Sequence, residues 1–324
     1  MSVNSFTKHE PLIFKTGSNI KLIHRAEYCK SIIADGKELI TGNESGEIRV
    51  PELNDEKVYI TFKEDVTDLS NAFYRCALLT SIPENLFANN PEVTIFEETF
   101  SLCTALTEIP ENIFANCPEV TDFSYTFEGC SALKSISENL FVNNPEVIKF
   151  YGTFSGCKAL TEIPENLFAS NPAVTDFSST FIDCSSLTTI PENLFASNPA
   201  VTDFSFTFSA CSALKSIPEN LFANNSAVTD FFRTFYGCLA LKSIPSSLFD
   251  NNRKVSSFSF TCTFHGCSAL TGESPYTMID GQKVHLYERA NYPEHFTTPT
   301  GFQDCFYECT KLTDYAQIPS DWKE

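Results

Sequence analysis

The chain has 324 residues, with 22 Lys and Arg against 41 Asp and Glu, a formal net charge of −19. Length alone suggests about two domains, and so few cations exclude phosphate-backbone recognition or docking on anionic lipid heads. At 42% hydrophobic residues the composition is globular, and no apolar run is long enough to enter a bilayer directly.

The start, MSVNSFTKHEPLIFKTGSN, has no apolar h-region and no small-residue cleavage site, so no export signal is expected in the chain as written. EIRVPEL and EKVYITF then read as strands, with GNESGE as a turn between ELIT and EIRV. Residues 1–62 are expected to form a small β-rich cap or module over the open end of the next segment.

That next segment is a repeat, first signalled by 31 Phe beside 1 Trp and 2 Met. From Cys76 to Cys103 is 27 residues, and the same step gives Cys130, Cys157, Cys184, Cys211 and Cys238. The column continues at Cys267 after a two-residue insertion and at Cys309 after a longer one. The consensus unit is V-T-D-F-S-x-T-F-x-G-C-x-A-L-x-x-I-P-E-N-L-F-x-N-N-P-x. Seven units run from Val66 to Lys254, an eighth starts at Val255, and a degenerate ninth spans about Phe302 to Pro319.

Such a period means stacked units that cannot bury their apolar faces alone. Val201, Phe204, Phe208 and Cys211 have the spacing 3, 4, 3, which predicts a helical turn capped by Asp203 and stopped at the Gly of Gly129, Gly156, Gly237 and Gly266. Leu214 to Ile217 reads as a short parallel strand, and Pro218 as the start of a second helical turn. Two Phe columns emerge: Phe73 to Phe306 through Phe208, and Phe96 to Phe258 through Phe204. Large rings fill wide coils.

These motifs, the F-x-G-C-x-x-L-x-x-I core above all, resemble the BspA-like leucine-rich repeats of bacterial cell-surface proteins over about residues 63–270 and again 299–324. The resemblance implies an α/β repeat, a right-handed leucine-rich-repeat-type solenoid of about nine coils. It also implies a cell-surface or extracellular location and adhesion or protein binding. The domain reading is a cap over 1–62, the solenoid over 63–270, and an insertion, last coil and C-terminal cap over 271–324. In that last segment KVHLYE reads as a strand and Trp322 as a lid.

Most recurrent polar columns have structural readings. Cys76, Cys103, Cys130, Cys157, Cys184, Cys211, Cys238, Cys267 and Cys309 form a ladder of buried free thiols, because stacked Cβ atoms lie beyond disulfide range. Four Cys lie off it, at Cys29, Cys117, Cys262 and Cys305, and a disulfide near the C-terminal cap stays open. The Asn90 to Asn252 column reads as an inward amide ladder, and the Thr99 to Thr234 column plays a similar part. The Glu84 to Glu219 and Asp68 to Asp230 columns could hold calcium or act as a carboxylate pair, but capping and helix-terminal charge explain them better. The His residues are His9, His24, His265, His285 and His295, with the last two read as solvated; no catalytic, cofactor or metal motif is found.

Variation between coils carries the functional reading. On the exposed turn side Tyr125, Tyr151, Phe206, Phe232, Arg233 and Tyr236 are candidate partner-binding residues; on the strand side Lys134, Lys215 and Lys242 are. The expectation is a non-enzymatic module that needs no cofactor. It binds a protein or glycoprotein, with no nucleic acid and no membrane insertion, as an adhesin contacting host or neighbouring cells. A structural spacer is the alternative, and a glycan or peptide hydrolase the remote one.

Overall fold

The computed structural model describes residues 10–40, 45–255 and 259–324. The N-terminal segment forms strands β1 (Leu12–Phe14), β2 (Gly17–Ile23), β3 (Cys29–Ala34), β4 (Lys37–Glu38), β5 (Ile48–Leu53) and β6 (Lys57–Phe62). EIRVPEL and EKVYITF are therefore strands, as expected; the first half of the GNESGE turn lies outside the described residues. β7 (Leu79–Ser81) belongs to the first coil and pairs antiparallel with β1, so one sheet in the order β4-β3-β6-β1-β7 runs from the cap into the repeat. Phe62 continues the aromatic core, 6.1 Å from Phe73 and 5.7 Å from Phe87.

The repeat departs from the predicted local structure. Among the described residues there is no α-helix, and helical geometry is limited to 3-10 segments at Ala26–Tyr28, Leu286–Asn291 and Ser320–Trp322. The α/β expectation is thus corrected to coils built of turns. Around Phe123 the backbone alternates. Phe123, Tyr125, Phe127 and Gly129 donate their N–H groups to the next coil, at Lys149, Tyr151, Thr153 and Ser155. Between them Thr126, Glu128 and Cys130 close turns onto the residue three before. The 3, 4, 3 spacing of apolar residues comes from two consecutive turns, each returning the chain to the core.

Left-handed residues make this alternation possible. Arg75, Leu102, Gly129, Gly156, Asp183, Ala210, Gly237, Gly266 and Glu308 all have φ between 58° and 75°. The Gly at this place is a turn residue that tolerates positive φ, and no helix stops there.

The expected strand at Leu214 to Ile217 is extended but carries a single backbone bond between coils, as from Lys215 N to Thr188 O (3.1 Å). Parallel bridges sit instead at the Asp column, linking Asp68, Ile95, Asp122, Lys149, Asp176, Asp203 and Asp230 in turn. Each of these Asp side chains accepts the N–H two residues on, as Asp203 does from Ser205 (2.7 Å). The caps are Asx turns that open the coil's turn segment. The Glu column also acts differently from the expectation. Its carboxylates accept the Asn side chain of the following coil, Asn193 to Glu165 at 2.6 Å and Asn220 to Glu192 at 2.8 Å.

Three columns of rings fill the interior. Phe73, Phe100, Phe127, Phe154 and their successors to Phe306 stack at 5.1–5.8 Å, within 10° of parallel. Phe96 to Phe231 form the second stack, which passes to Phe260 at 5.9 Å. The 27-residue step puts Phe258 there; Phe258 lies outside the described residues, and the ring in register is Phe260. The Phe of IPENLF makes a third column, with Phe114 4.8 Å from Phe96 and 4.6 Å from Phe123.

Around the rings, side-chain donors tie coil to coil. Cys130 Sγ donates to Phe100 O (3.3 Å) and Cys184 Sγ to Phe154 O (3.3 Å). Thr126 Oγ1 donates to Phe96 O (2.9 Å). Asn171 Nδ2 donates to both Phe141 O (3.1 Å) and Asn144 O (2.8 Å). Cys117 holds the Asn place in its coil and sends its thiol to Asn90 O (3.4 Å). All thirteen cysteines are unpaired, including Cys262 and Cys305.

At the far end the chain leaves the register. Strands β8 (Tyr276–Ile279) and β9 (Gln282–His285) form a hairpin, so the predicted strand in KVHLYE stops at His285. Arg289 is 3% exposed and donates to Phe249 O (2.8 Å) and Asn252 O (3.1 Å). Those are the two carbonyls that the next ladder Asn would have taken. Trp322 closes the core, stacked on Phe302 at 4.9 Å and 5°.

Two outcomes follow. Arg289→Met strips donors from two buried carbonyls and is expected to destabilise the protein by about 2–5 kcal/mol. The loss should appear as a lower urea midpoint with faster amide exchange around Phe249 and Asn252; an unchanged midpoint contradicts the capping role. Burial pushes the thiols of Cys76, Cys130 and Cys184 up to about 12. A thiol-specific reagent at pH 8 should therefore label the native protein at Cys262 at most, and all thirteen cysteines only after denaturation.

Candidate functional site

A second left-handed column runs four residues before the first. It holds Asn71, Glu98, Tyr125, Gly152, Ser179, Phe206, Arg233, Cys262 and Asp304, with φ between 53° and 61°. This conformation costs a residue with a Cβ roughly 1–2 kcal/mol. Gly, Asn and Asp are its usual occupants, yet Tyr125, Phe206 and Arg233 stand there. Gly152 marks the relaxed solution; a Cβ on it would come within 2.5 Å of the Tyr125 ring.

The predicted turn-side residues fall into two groups. Tyr125 and Tyr151 meet edge-on at 4.7 Å and 71°. Further along, Phe206 and Phe232 meet at 5.0 Å and 83°, and Arg233 lies over both rings and over Tyr236, with Cζ 5.7, 5.0 and 5.3 Å from the centroids. Two residues that sequence reasoning missed extend this group. Tyr236 stacks on His265 at 4.8 Å, and His265 on Tyr307 at 4.5 Å. Phe206, Phe232, Arg233, Tyr236, His265 and Tyr307 thus make one half-buried ribbon with a cation in its middle. Tyr307 was visible only through the register of the degenerate last coil.

The Lys candidates sit on the opposite, Leu-x-x-Ile side and are exposed. Lys215 and Lys242 are neighbours through the bond from Lys242 N to Lys215 O (3.2 Å), whereas Thr161 and Thr188 separate Lys134 from them. No ion pair engages any of the three among the described residues.

Beside the ribbon, Cys262, His265 and Asp304 bring one ligand atom each within 4.8 Å of the others. Burial raises the Cys262 thiol, opposed by the hydrogen bond from Arg233. Burial lowers the pKa of His265, against the pull of Asp304 and Glu308. The C-x-x-H of Cys262 and His265 is present in the sequence; Asp304 joins it only through coil register.

The described surface also carries open grooves. One of about 700 Å³ lies between cap and first coil, lined by Glu10, Ile13, Lys57, Tyr59 and Glu84 among others. The other, about 370 Å³, is lined by Glu128, Gly129, Gly156, Lys158 and Asp183. Neither is lined by a His or a Cys. His285, expected in solvent, is instead half-buried between carboxylates, with Glu273 and Glu288 each at 3.0 Å and Asp314 at 3.8 Å. Those contacts moor the β8–β9 hairpin. No helix of the described residues is long and apolar enough to cross a membrane.

No family model and no curated protein matches the chain. Solved structures similar to it include leucine-rich repeat proteins, one of them a cell-surface protein. A leucine-rich repeat protein of Bacteroides ovatus is 22% identical, with 78% of this chain and 64% of that one covered, at a TM-score of 0.38. A leucine-rich cell-surface protein of Faecalibacterium prausnitzii is 20% identical, with 74% and 81% covered, at 0.27. A chain of the Drosophila Toll–Spatzle complex is 17% identical, with 72% and 36% covered, at 0.30. The chain spans under two thirds of the Bacteroides ovatus protein. At these scores the coil geometry rests on the chain's own hydrogen bonds.

Asp230 anchors the ribbon's turn through Phe232 N–H (2.7 Å). Burial, with Asp203 adding to it, raises its pKa to about 6. The native state then holds more protons than the unfolded chain between about pH 4 and 6, so stability should fall as pH rises through that window. The urea midpoint is expected to be higher at pH 5 than at pH 7, and Asp230→Asn to flatten the difference by raising the pH 7 value. A midpoint that climbs from pH 5 to pH 7 contradicts this.

Proposed function

We propose that this chain is a non-enzymatic protein-binding solenoid, a surface or secreted adhesin-type module whose partner is a protein or glycoprotein of a host or neighbouring cell. We take it as a right-handed stack of about nine coils over 63–270 and the last coil, with 1–62 as cap. The observation that carries the reading is the ribbon of Phe206, Phe232, Arg233, Tyr236, His265 and Tyr307. Aromatic rings gathered around one Arg are the composition of interface hot spots. The ladders beneath hold the backbone rigid, so little ordering cost is left for the moment of binding. Retaining Phe206 and Arg233 where Gly would be unstrained favours a role for the side chains over a role for the backbone. The formal charge of −19 supports a partner other than nucleic acid.

The test is a panel of extracellular-matrix proteins, mucins and whole cells probed with the immobilised full chain. Saturable binding is expected, weakened at least tenfold by Phe206→Gly and Arg233→Gly. Both replacements suit the left-handed backbone, so the unfolding free energy should stay within about 1 kcal/mol of the parent. Lys215→Glu with Lys242→Glu is expected to leave binding intact. Binding that survives the ribbon variants and is lost with the Lys pair moves the site to the other face. A folded chain that binds nothing, or binds only itself, favours a spacer and sinks the adhesin reading.

A further inference from the structure

The last two coils carry a feature that partner binding does not need. Cys262 and His265 belong to one turn, closed by His265 N to Cys262 O (3.2 Å), and Asp304 enters from the coil below through Cys262 N to Gln303 O (2.9 Å). Their ligand atoms lie within 4.8 Å of one another, and no other group of three such side chains does so among the described residues. The donor set is one sulfur, one imidazole nitrogen and one carboxylate oxygen. That mixture suits Zn²⁺, which takes such donors at about 2.0–2.3 Å in a tetrahedron. A hard ion such as Ca²⁺ would ask for oxygen alone.

Three further observations point to a ligand. His265 Nδ1 is buried and has no hydrogen-bond partner, although its neighbours are polar. The ring cannot turn freely to find one, because Tyr236 and Tyr307 sandwich it at 4.8 and 4.5 Å, each within 18° of parallel. Cys262 is 6% exposed, whereas the ladder thiols are sealed at 0%. It also occupies a left-handed position (φ 56°), where a Cys is a strained choice if only packing is served.

We propose that Cys262, His265 and Asp304 bind one zinc-class divalent ion, which clamps the last coil to the one before it and keeps a fourth coordination position open toward solvent. The thiol gives up its proton to bulk water as the sulfur–metal bond forms. Two anionic ligands then outweigh the single charge of Arg233, which already opposes the rise of the Cys262 pKa. The clamp spans the excursion of residues 271–298. This proposal does not rest on the adhesin reading, and its test uses no protein partner.

The experiment titrates Co²⁺ into the full chain, reduced and freed of metal, with Zn²⁺ as competitor. The expected result is one Co²⁺ per chain with a thiolate-to-cobalt charge-transfer band, displaced by equimolar Zn²⁺. Zn²⁺ should also raise the urea midpoint of the parent. Cys262→Ser should abolish the band, and His265→Gln and Asp304→Asn should each weaken binding at least tenfold. If Cys262→Ser does not fold, the two other variants decide, since both residues are half-exposed and replaced by isosteres. No band at stoichiometric Co²⁺ overturns the proposal. So does a band that persists in Cys262→Ser, or an affinity unmoved in both His265→Gln and Asp304→Asn.

Discussion

Everything in this protein depends on how one coil bonds to the next when neither a helix nor a continuous sheet joins them. Half of the N–H groups in the Phe123 to Cys130 segment are used in turns and half reach the next coil. Carbonyls that point along the axis are left with a lone pair to fill, and buried carbonyls without partners are expensive. Three columns of side-chain donors fill them. Cys contributes a small apolar body with a weak S–H donor, Thr a hydroxyl, and Asn two amide protons, each to a carbonyl one coil back. The Cys column is therefore a hydrogen-bonding device, which is why it recurs so strictly with every thiol free.

A strictly repeating interior separates what can vary from what cannot. Phe127 stacks on both Phe100 and Phe154, and Asn144 donates to Phe114 O and Cys117 O while its own carbonyl accepts Asn171, so an exception at one coil disturbs two. Cys117 in place of Asn is tolerated because its thiol still reaches Asn90 O. Side chains leave the core at the left-handed columns, and there the chain is free to choose. In the column from Asn71 to Asp304 it places Glu98 and Tyr125 first, Gly152 and Ser179 in the middle, and Phe206, Arg233, Cys262 and Asp304 toward the end. Strain of this kind persists where surrounding bonds over-determine the backbone. The ladders supply that excess of bonds, and the variation is concentrated where a surface function would act.

The interior was legible in the sequence because core chemistry repeats. Period, thiol ladder, inward Asn and Thr and two of the three Phe columns follow from register, save that Phe260 and not the in-step Phe258 ends the second. Local geometry was misread for a specific reason. Val201, Phe204, Phe208 and Cys211 show helical spacing, but a pair of turns with left-handed residues at Phe206 and Ala210 produces the same spacing. Only the recurrence of Gly at Gly129, Gly156, Gly237 and Gly266 hinted at positive φ, and a helix stop explains that equally well. On the surface, Phe206, Phe232, Arg233 and Tyr236 were legible as drifting aromatics. Their junction with His265 and Tyr307 was not, because two insertions displace those residues from the 27-residue step.

The excursion over 271–298 shows that the bonding demand outlasts the sequence pattern. Its contacts to the preceding coil fall on that coil's IPENLF limb: Tyr276 N donates to Ser246 O (3.0 Å), Arg289 to Phe249 O and Asn252 O, and Thr297 N to Arg253 O (2.9 Å). The segment thus stands in for the next such limb, with a guanidinium in the role an amide has elsewhere. An amide would satisfy the same carbonyls but would present its own backbone to a further coil. Arg289 satisfies them from a side chain that continues nothing, and Thr277 Oγ1 takes a further proton of its guanidinium (3.2 Å). The same logic holds at the other end, where β1 runs antiparallel to β7 and so cannot propagate the parallel stack. At both places the group that follows the coil takes up its hydrogen-bonding groups without offering a further parallel coil the same pattern.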